Sequence, residues 1–108
     1  MLSAFYICCF FVCSYLVNNA GLGCFGVLEC MTMAELKQVF EVNFFGVVRL
    51  IQAVLPGMKA RQSGYIVNVS SMSGELGVPF NDIYCASKFA LGGLTESLTP
   101  VLRQFNIK

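Results

Sequence analysis

Two short β-type runs separated by one long helical stretch constrain this chain most. Tyr15-Leu16-Val17 is apolar and ends in the turn signal Asn18-Asn19-Ala20-Gly21. Gly64-Tyr65-Ile66-Val67-Asn68-Val69-Ser70 is the second run, entered through Ser63-Gly64. Between them, from Thr32 to about Arg61, Leu36, Val39, Phe40, Val47, Leu50, Ile51 and Val54 recur on one helical stripe. Thr32-Met33-Ala34-Glu35 reads as a capping box at the start of that helix. Two strands joined through one long helix make a βαβ unit. That unit predicts a parallel pair with a right-handed crossover.

Phe44, Val48 and Leu55 give the first helix a second apolar side, and Pro56-Gly57 should perturb its last turns. A second helix is predicted from Tyr84 towards Phe105. Gly92-Gly93 weakens it by about 1 kcal/mol per glycine. Pro100 should kink or interrupt it. No internal repeat, low-complexity segment or linker is evident.

Ligands of open α/β sheets bind outside the carboxyl ends of the strands. Asn18 to Gly21 and Ser70-Ser71-Met72-Ser73-Gly74 both fall there. Tyr84 and Lys88 lie one helical turn apart on one face. An ammonium a turn away favours a phenolate, which makes a proton donor and acceptor usable near neutral pH. Asn43 falls in the apolar stripe, where a polar side chain needs partners. It is either an amide satisfying a neighbouring backbone or a residue facing a site. Gly21-Leu22-Gly23-Cys24-Phe25-Gly26 matches the Gly-x-Gly-x-x-Gly spacing of dinucleotide sites. Such a fingerprint must open directly into a helix. Here the helix signal begins only at Thr32, so we read these glycines as a loop.

Composition narrows the classes. The chain is 56% hydrophobic and 12% charged, against a usual charged share of about 25%. A net charge of +1 gives no electrostatic case for nucleic acid. The six cysteines form no Cys-x-x-Cys pair and there is no histidine, which argues against a metal site. A reduced, cytoplasmic setting is the simplest reading. Met1 to Val17 carries no charged side chain. We take Met1–Ser14 as an apolar segment that is an anchor, a strand or an artefact of the reading frame. Residues 15–108 are then a partial domain.

Four stretches together carry a resemblance. Asn18-Asn19-Ala20-Gly21, Val42-Asn43-Phe44-Phe45-Gly46, Val67-Asn68-Val69-Ser70-Ser71 and Tyr84-Cys85-Ala86-Ser87-Lys88 stand in order. They resemble the motifs of the short-chain dehydrogenase/reductase family. The interval from Ser71 to Tyr84 is the one that family's active site requires. Val54-Leu55-Pro56-Gly57-Met58-Lys59 and the run from Pro79 to Leu91 are similar to its retinol- and 17β-hydroxysteroid-oxidising branch.

The resemblance implies an α/β fold, the central βαβα part of a Rossmann-like, doubly wound parallel sheet. It implies Asn43, Ser71, Tyr84 and Lys88 as the catalytic set. Asn18, Ala20 and Gly21, with Tyr84 and Lys88, would line a site for NADP(H). Ser71, Pro79, Asn81 and Tyr84 would meet a small apolar substrate, a retinoid or a steroid. In the family Asn43 would position a water that links Lys88 to solvent. Homodimers would form through helices 32–61 and 84–104.

There are departures. The family opens with a strand and a Thr-Gly-x-x-x-Gly-x-Gly pyrophosphate loop, and none of the 17 residues before Asn18 fits it. Phe105-Asn106-Ile107-Lys108 stands where the family's next strand begins, and Gly92 replaces a usual glutamate. We therefore expect the first and last parts of the fold to lie outside this chain, and the isolated chain to be inactive. Two further readings stand beside the enzyme. One is a non-catalytic protein that pairs with relatives. The other is a small membrane-associated protein anchored by Met1–Val17.

Overall fold

A computed structural model describes residues 13–108. Most of the apolar segment Met1–Ser14 lies outside the described residues. Strand β1 spans Tyr15–Asn18 and strand β2 spans Tyr65–Asn68. They pair in parallel, with Tyr15 opposite Tyr65 and Asn18 opposite Asn68. Val69 N–H donates to the Asn18 carbonyl at 2.9 Å and carries the pairing one step further. Chain and sheet together are part of a doubly wound α/β fold.

The crossover is one continuous helical rod with a widened turn inside it. Helix α1 covers Met33–Phe40, a π turn covers Glu41–Phe45, and helix α2 covers Gly46–Ala60. Thr32 and Glu35 make the predicted capping box. Glu35 N–H donates to Thr32 Oγ1 at 3.3 Å, and Thr32 N–H donates to Glu35 Oε2 at 2.8 Å. In the π turn the Gly46 N–H reaches back to the Glu41 carbonyl. This adds a residue to the turn, which holds Val39, Asn43, Val47 and Ile51 in one buried line. Leu50, read from sequence as part of the stripe, is instead exposed. The buried face after the π turn centres on Val47, Ile51 and Met58, which leaves Leu50 at its rim.

Helix α3 spans Asp82–Arg103. It runs through Pro100 without the predicted interruption. Pro100 sits in the last turn, where its missing N–H removes only one ladder bond. Leu102 beyond it is buried against Met58 and Ile107, which holds that turn in place. Pro56 is likewise accommodated inside α2.

Side chains alternate across a strand. Leu16 and Ile66 point into a core formed by Val47, Ile51 and Leu91, so α2 and α3 cover one face of the sheet. Tyr15, Val17, Tyr65 and Val67 occupy the other face and are exposed. Tyr15 and Tyr65 stack there at 4.8 Å between ring centroids. The outer edge of β2 is engaged: Ile66 N–H donates to the Lys108 carbonyl at 2.7 Å and Lys108 N–H donates to Gly64 at 3.0 Å. Gly64 and Ile107 thus form a single parallel bridge beside the two-stranded sheet.

Candidate active site

The site is built at the carboxyl ends of the two strands. Helix propensity and the turn at Asn81 start α3 just before Tyr84. The Cys85 N–H donates to the Asn81 carbonyl at 2.8 Å. The four-residue step then puts Lys88 one turn above Tyr84, with its Nζ 5.8 Å from the centre of the phenol ring. Lys88 is buried, and its ammonium donates to the Val69 carbonyl at 3.1 Å. A Cβ added to Gly21 would lie 3.8 Å from that same Nζ. Lys88 therefore sits in the fork beyond the two strands, bonded to the chain after β2 and beside Gly21 after β1.

Ser71 leaves the sheet three residues after β2 and caps a 3-10 turn, Met72–Gly74, by accepting from Ser73 N–H at 3.2 Å. This turn packs on α3. It packs so closely that a Cβ on Gly74 would come within 3.2 Å of the Lys88 carbonyl oxygen.

Asn43 is fully buried, and its amide is engaged on all sides. Its Oδ1 accepts from Leu22 N–H at 2.7 Å. Its Nδ2 donates to the Leu22 carbonyl at 2.9 Å and to Ser87 Oγ at 3.0 Å. An amide has two N–H bonds. Both are spent within the protein, so this side chain has no proton left for a water. Ser87 and Leu22 were not singled out by sequence reasoning. The signal for Ser87 was its place three residues after Tyr84, because helical serines bond back to the i−3 or i−4 carbonyl.

The other anticipated residues fall as follows. Ala20 and Gly21 are exposed at the rim beside Lys88. Asn18 is turned into the sheet–helix layer, where its Nδ2 donates to Asn68 Oδ1 at 2.7 Å and its Oδ1 has no partner among the described residues. Pro79 is exposed and Asn81 half-buried in the loop before α3. Phe80 in that loop holds a left-handed backbone at φ 65. Its carbonyl accepts from Gly26 N–H at 2.9 Å, and its ring lies 5.9 Å from that of Phe25.

The residues present fit one end of a nicotinamide dinucleotide. A lysine ammonium has three N–H bonds, and Lys88 spends one on Val69. The others suit the hydroxyls of a ribose. Among the described residues, the loop at 21–26 does not fit the pyrophosphate end. Residues 21–26 form a loop, and the next α-helix starts only at Met33. Its N-terminus is closed by the Glu35 carboxylate, which repels a second anion.

The sequence profile described as short chain dehydrogenase matches residues 13–108. The chain belongs to the short-chain dehydrogenase family. Human retinol dehydrogenase 8 is 60% identical over 92 residues, which are 85% of this chain and 30% of that protein. Human 17-beta-hydroxysteroid dehydrogenase type 1 is 51% identical over 92 residues, 85% of this chain and 28% of that one. This short-chain dehydrogenase segment thus spans less than a third of the length of those relatives. Among solved structures, a short-chain dehydrogenase from Streptomyces avermitilis superposes with a TM-score of 0.84 at 43% identity, over 88% of this chain and 35% of its own. A gluconate 5-dehydrogenase from Burkholderia cenocepacia J2315, in complex with NADP and tartrate, gives 0.85 at 33% identity, over 88% and 37%.

Proposed function

We propose that this chain carries the catalytic edge of an NADP(H)-dependent oxidoreductase that interconverts a bulky apolar alcohol and its carbonyl. The observation that carries the proposal is Lys88, buried in the fork between both strand ends with Tyr84 one turn below it. In this reading the Tyr84 phenol gives a proton to the substrate oxygen during reduction and takes one back during oxidation. The Ser71 hydroxyl donates to that oxygen and stabilises the charge developing on it. Lys88 holds the ribose hydroxyls with its free N–H bonds. Asn43 holds Leu22, and through it the wall at Ala20 and Gly21. When bound, NADP(H) supplies or accepts the hydride.

An apolar substrate is supported by the loops that flank the site. Phe25 and Leu28 on one, and Met72, Leu76 and Phe80 on the other, are all exposed. The retinol and 17-beta-hydroxysteroid dehydrogenases among the relatives point the same way. Retinoids and 17β-hydroxysteroids are therefore the substrate classes to try. A cytoplasmic, membrane-associated setting suits such substrates.

The test is a hybrid in which residues 13–108 replace the matching segment of human retinol dehydrogenase 8. With NADPH it should reduce all-trans-retinal within about tenfold of the parent enzyme, the loss a misplacement of about 1.4 kcal/mol would cause. A folded hybrid without turnover on retinal or a 17-ketosteroid would remove this segment from the catalytic role.

A second reading has its own observation. Phe45 and Leu50 on the crossover rod, and Phe89 and Val101 on α3, are exposed apolar side chains. They suit pairing with another copy or a relative through helices 33–60 and 82–103, with or without catalysis. Leu50→Glu with Phe89→Glu should then turn a dimer into a monomer in light scattering. Unchanged mass would exclude those helices as the interface.

A further inference from the structure

We infer that Ser87 is a positioning residue that locks the loop after β1 onto the catalytic helix. Ser87 has no exposed surface. Its hydroxyl donates to the Tyr84 carbonyl at 2.7 Å. That spends its only proton, so towards Asn43 it can only accept. The Asn43 NH2 group must therefore face Ser87, and Nδ2 does so at 3.0 Å. With the amide fixed in that sense, its oxygen faces the Leu22 N–H at 2.7 Å, and its second N–H faces the Leu22 carbonyl at 2.9 Å.

One hydroxyl thus sets the direction of three hydrogen bonds. It ties the Tyr84 turn of α3, the π turn of the crossover and the loop at Leu22 into one triangle whose Asn43–Ser87 side is buried. Gly21, next to Leu22, forms the wall beside Lys88. Ser87 touches neither substrate nor cofactor in this scheme; it acts through Asn43. The inference depends on the proposed chemistry only in calling the positioned groups catalytic. Its test therefore reads geometry without turnover.

The test is hydrogen–deuterium exchange of the full chain, compared by mass spectrometry for wild type, Ser87→Ala and Ser87→Thr. Peptides covering residues 20–27 report the locked loop. Peptides covering 98–107 report the distant core around Leu102 and Ile107. Ser87→Ala should speed exchange at Leu22 about tenfold, the scale of one lost buried hydrogen bond, and leave 98–107 unchanged. Ser87→Thr keeps the hydroxyl and should restore wild-type exchange. Unchanged exchange in Ser87→Ala would overturn the inference. So would an equal rise in both regions, or an equal rise in the alanine and threonine variants.

Discussion

At the scale of single residues, the site rests on the Asn43 amide, whose two N–H bonds both have partners within the protein. Removing one partner of a buried hydrogen bond strands the other, which costs about 1–3 kcal/mol. Asn43→Ala leaves the Leu22 N–H and carbonyl without the partners they have now. It should lower unfolding stability by about that much in urea titration followed by circular dichroism. A change within about 0.5 kcal/mol, the range of an inconsequential surface substitution, would mean that the triangle carries no stability. Sequence alone raised Asn43 as a polar residue on an apolar stripe, and the period of that stripe was enough to bury it. It could not name the partners. Leu22 is distant in sequence, and Ser87 looks like any helical serine until the fold brings it to Asn43.

At the scale of elements, the capping box of α1 was legible because both partners are local. The Thr32 backbone N–H bonds to the Glu35 carboxylate, and the Thr32 hydroxyl adds a second bond. Together they hold the Glu35 pKa below its ordinary value. The folded pKa lies below the unfolded one. The cap therefore contributes fully above the ordinary glutamate range and is lost as pH falls through the folded value. Thr32→Ala should raise the Glu35 titration midpoint, followed by the carboxyl carbon in NMR. An unmoved midpoint would assign the shift to the Thr32 backbone N–H alone, which the alanine variant keeps. The π turn was not legible, because it leaves apolar spacing almost unchanged and only rotates Leu50 out to the rim. The tolerance of Pro100 was not legible either. It depends on Leu102 packing against Met58 and Ile107, residues from other parts of the chain. The approach of the Met72–Gly74 turn to α3 sets a further test. A Cβ at Gly74 would lie 2.7 Å from Ser70 Oγ and 3.2 Å from the Lys88 carbonyl oxygen. Gly74→Ala should destabilise the chain by about 1–3 kcal/mol, the cost of overpacking. Wild-type stability would mean that the turn is free to move off the helix.

At the scale of the whole molecule, the parallel pair and the crossover followed from two β-type runs joined through one long helical stretch. The bare sheet face did not. Alternation shows that Tyr15, Val17, Tyr65 and Val67 share a side, but not whether anything covers it. With that face exposed, the chain by itself should self-associate. The loop at 21–26 and the carboxylate-closed start of α1 offer no seat for a pyrophosphate. Titration of NADPH fluorescence with the chain alone should give binding no tighter than about millimolar, worth about −4 kcal/mol. Micromolar binding would return Gly21 to Gly26 to a phosphate role. The central claim concerns chemistry, and one comparison meets it directly: Tyr84→Phe against wild type in the hybrid with human retinol dehydrogenase 8. The phenol works on the substrate, so the Kd for NADPH should hold within a few-fold while kcat for retinal reduction falls at least about 100-fold, the scale of acid–base catalysis. A kcat within a few-fold of wild type would contradict the account.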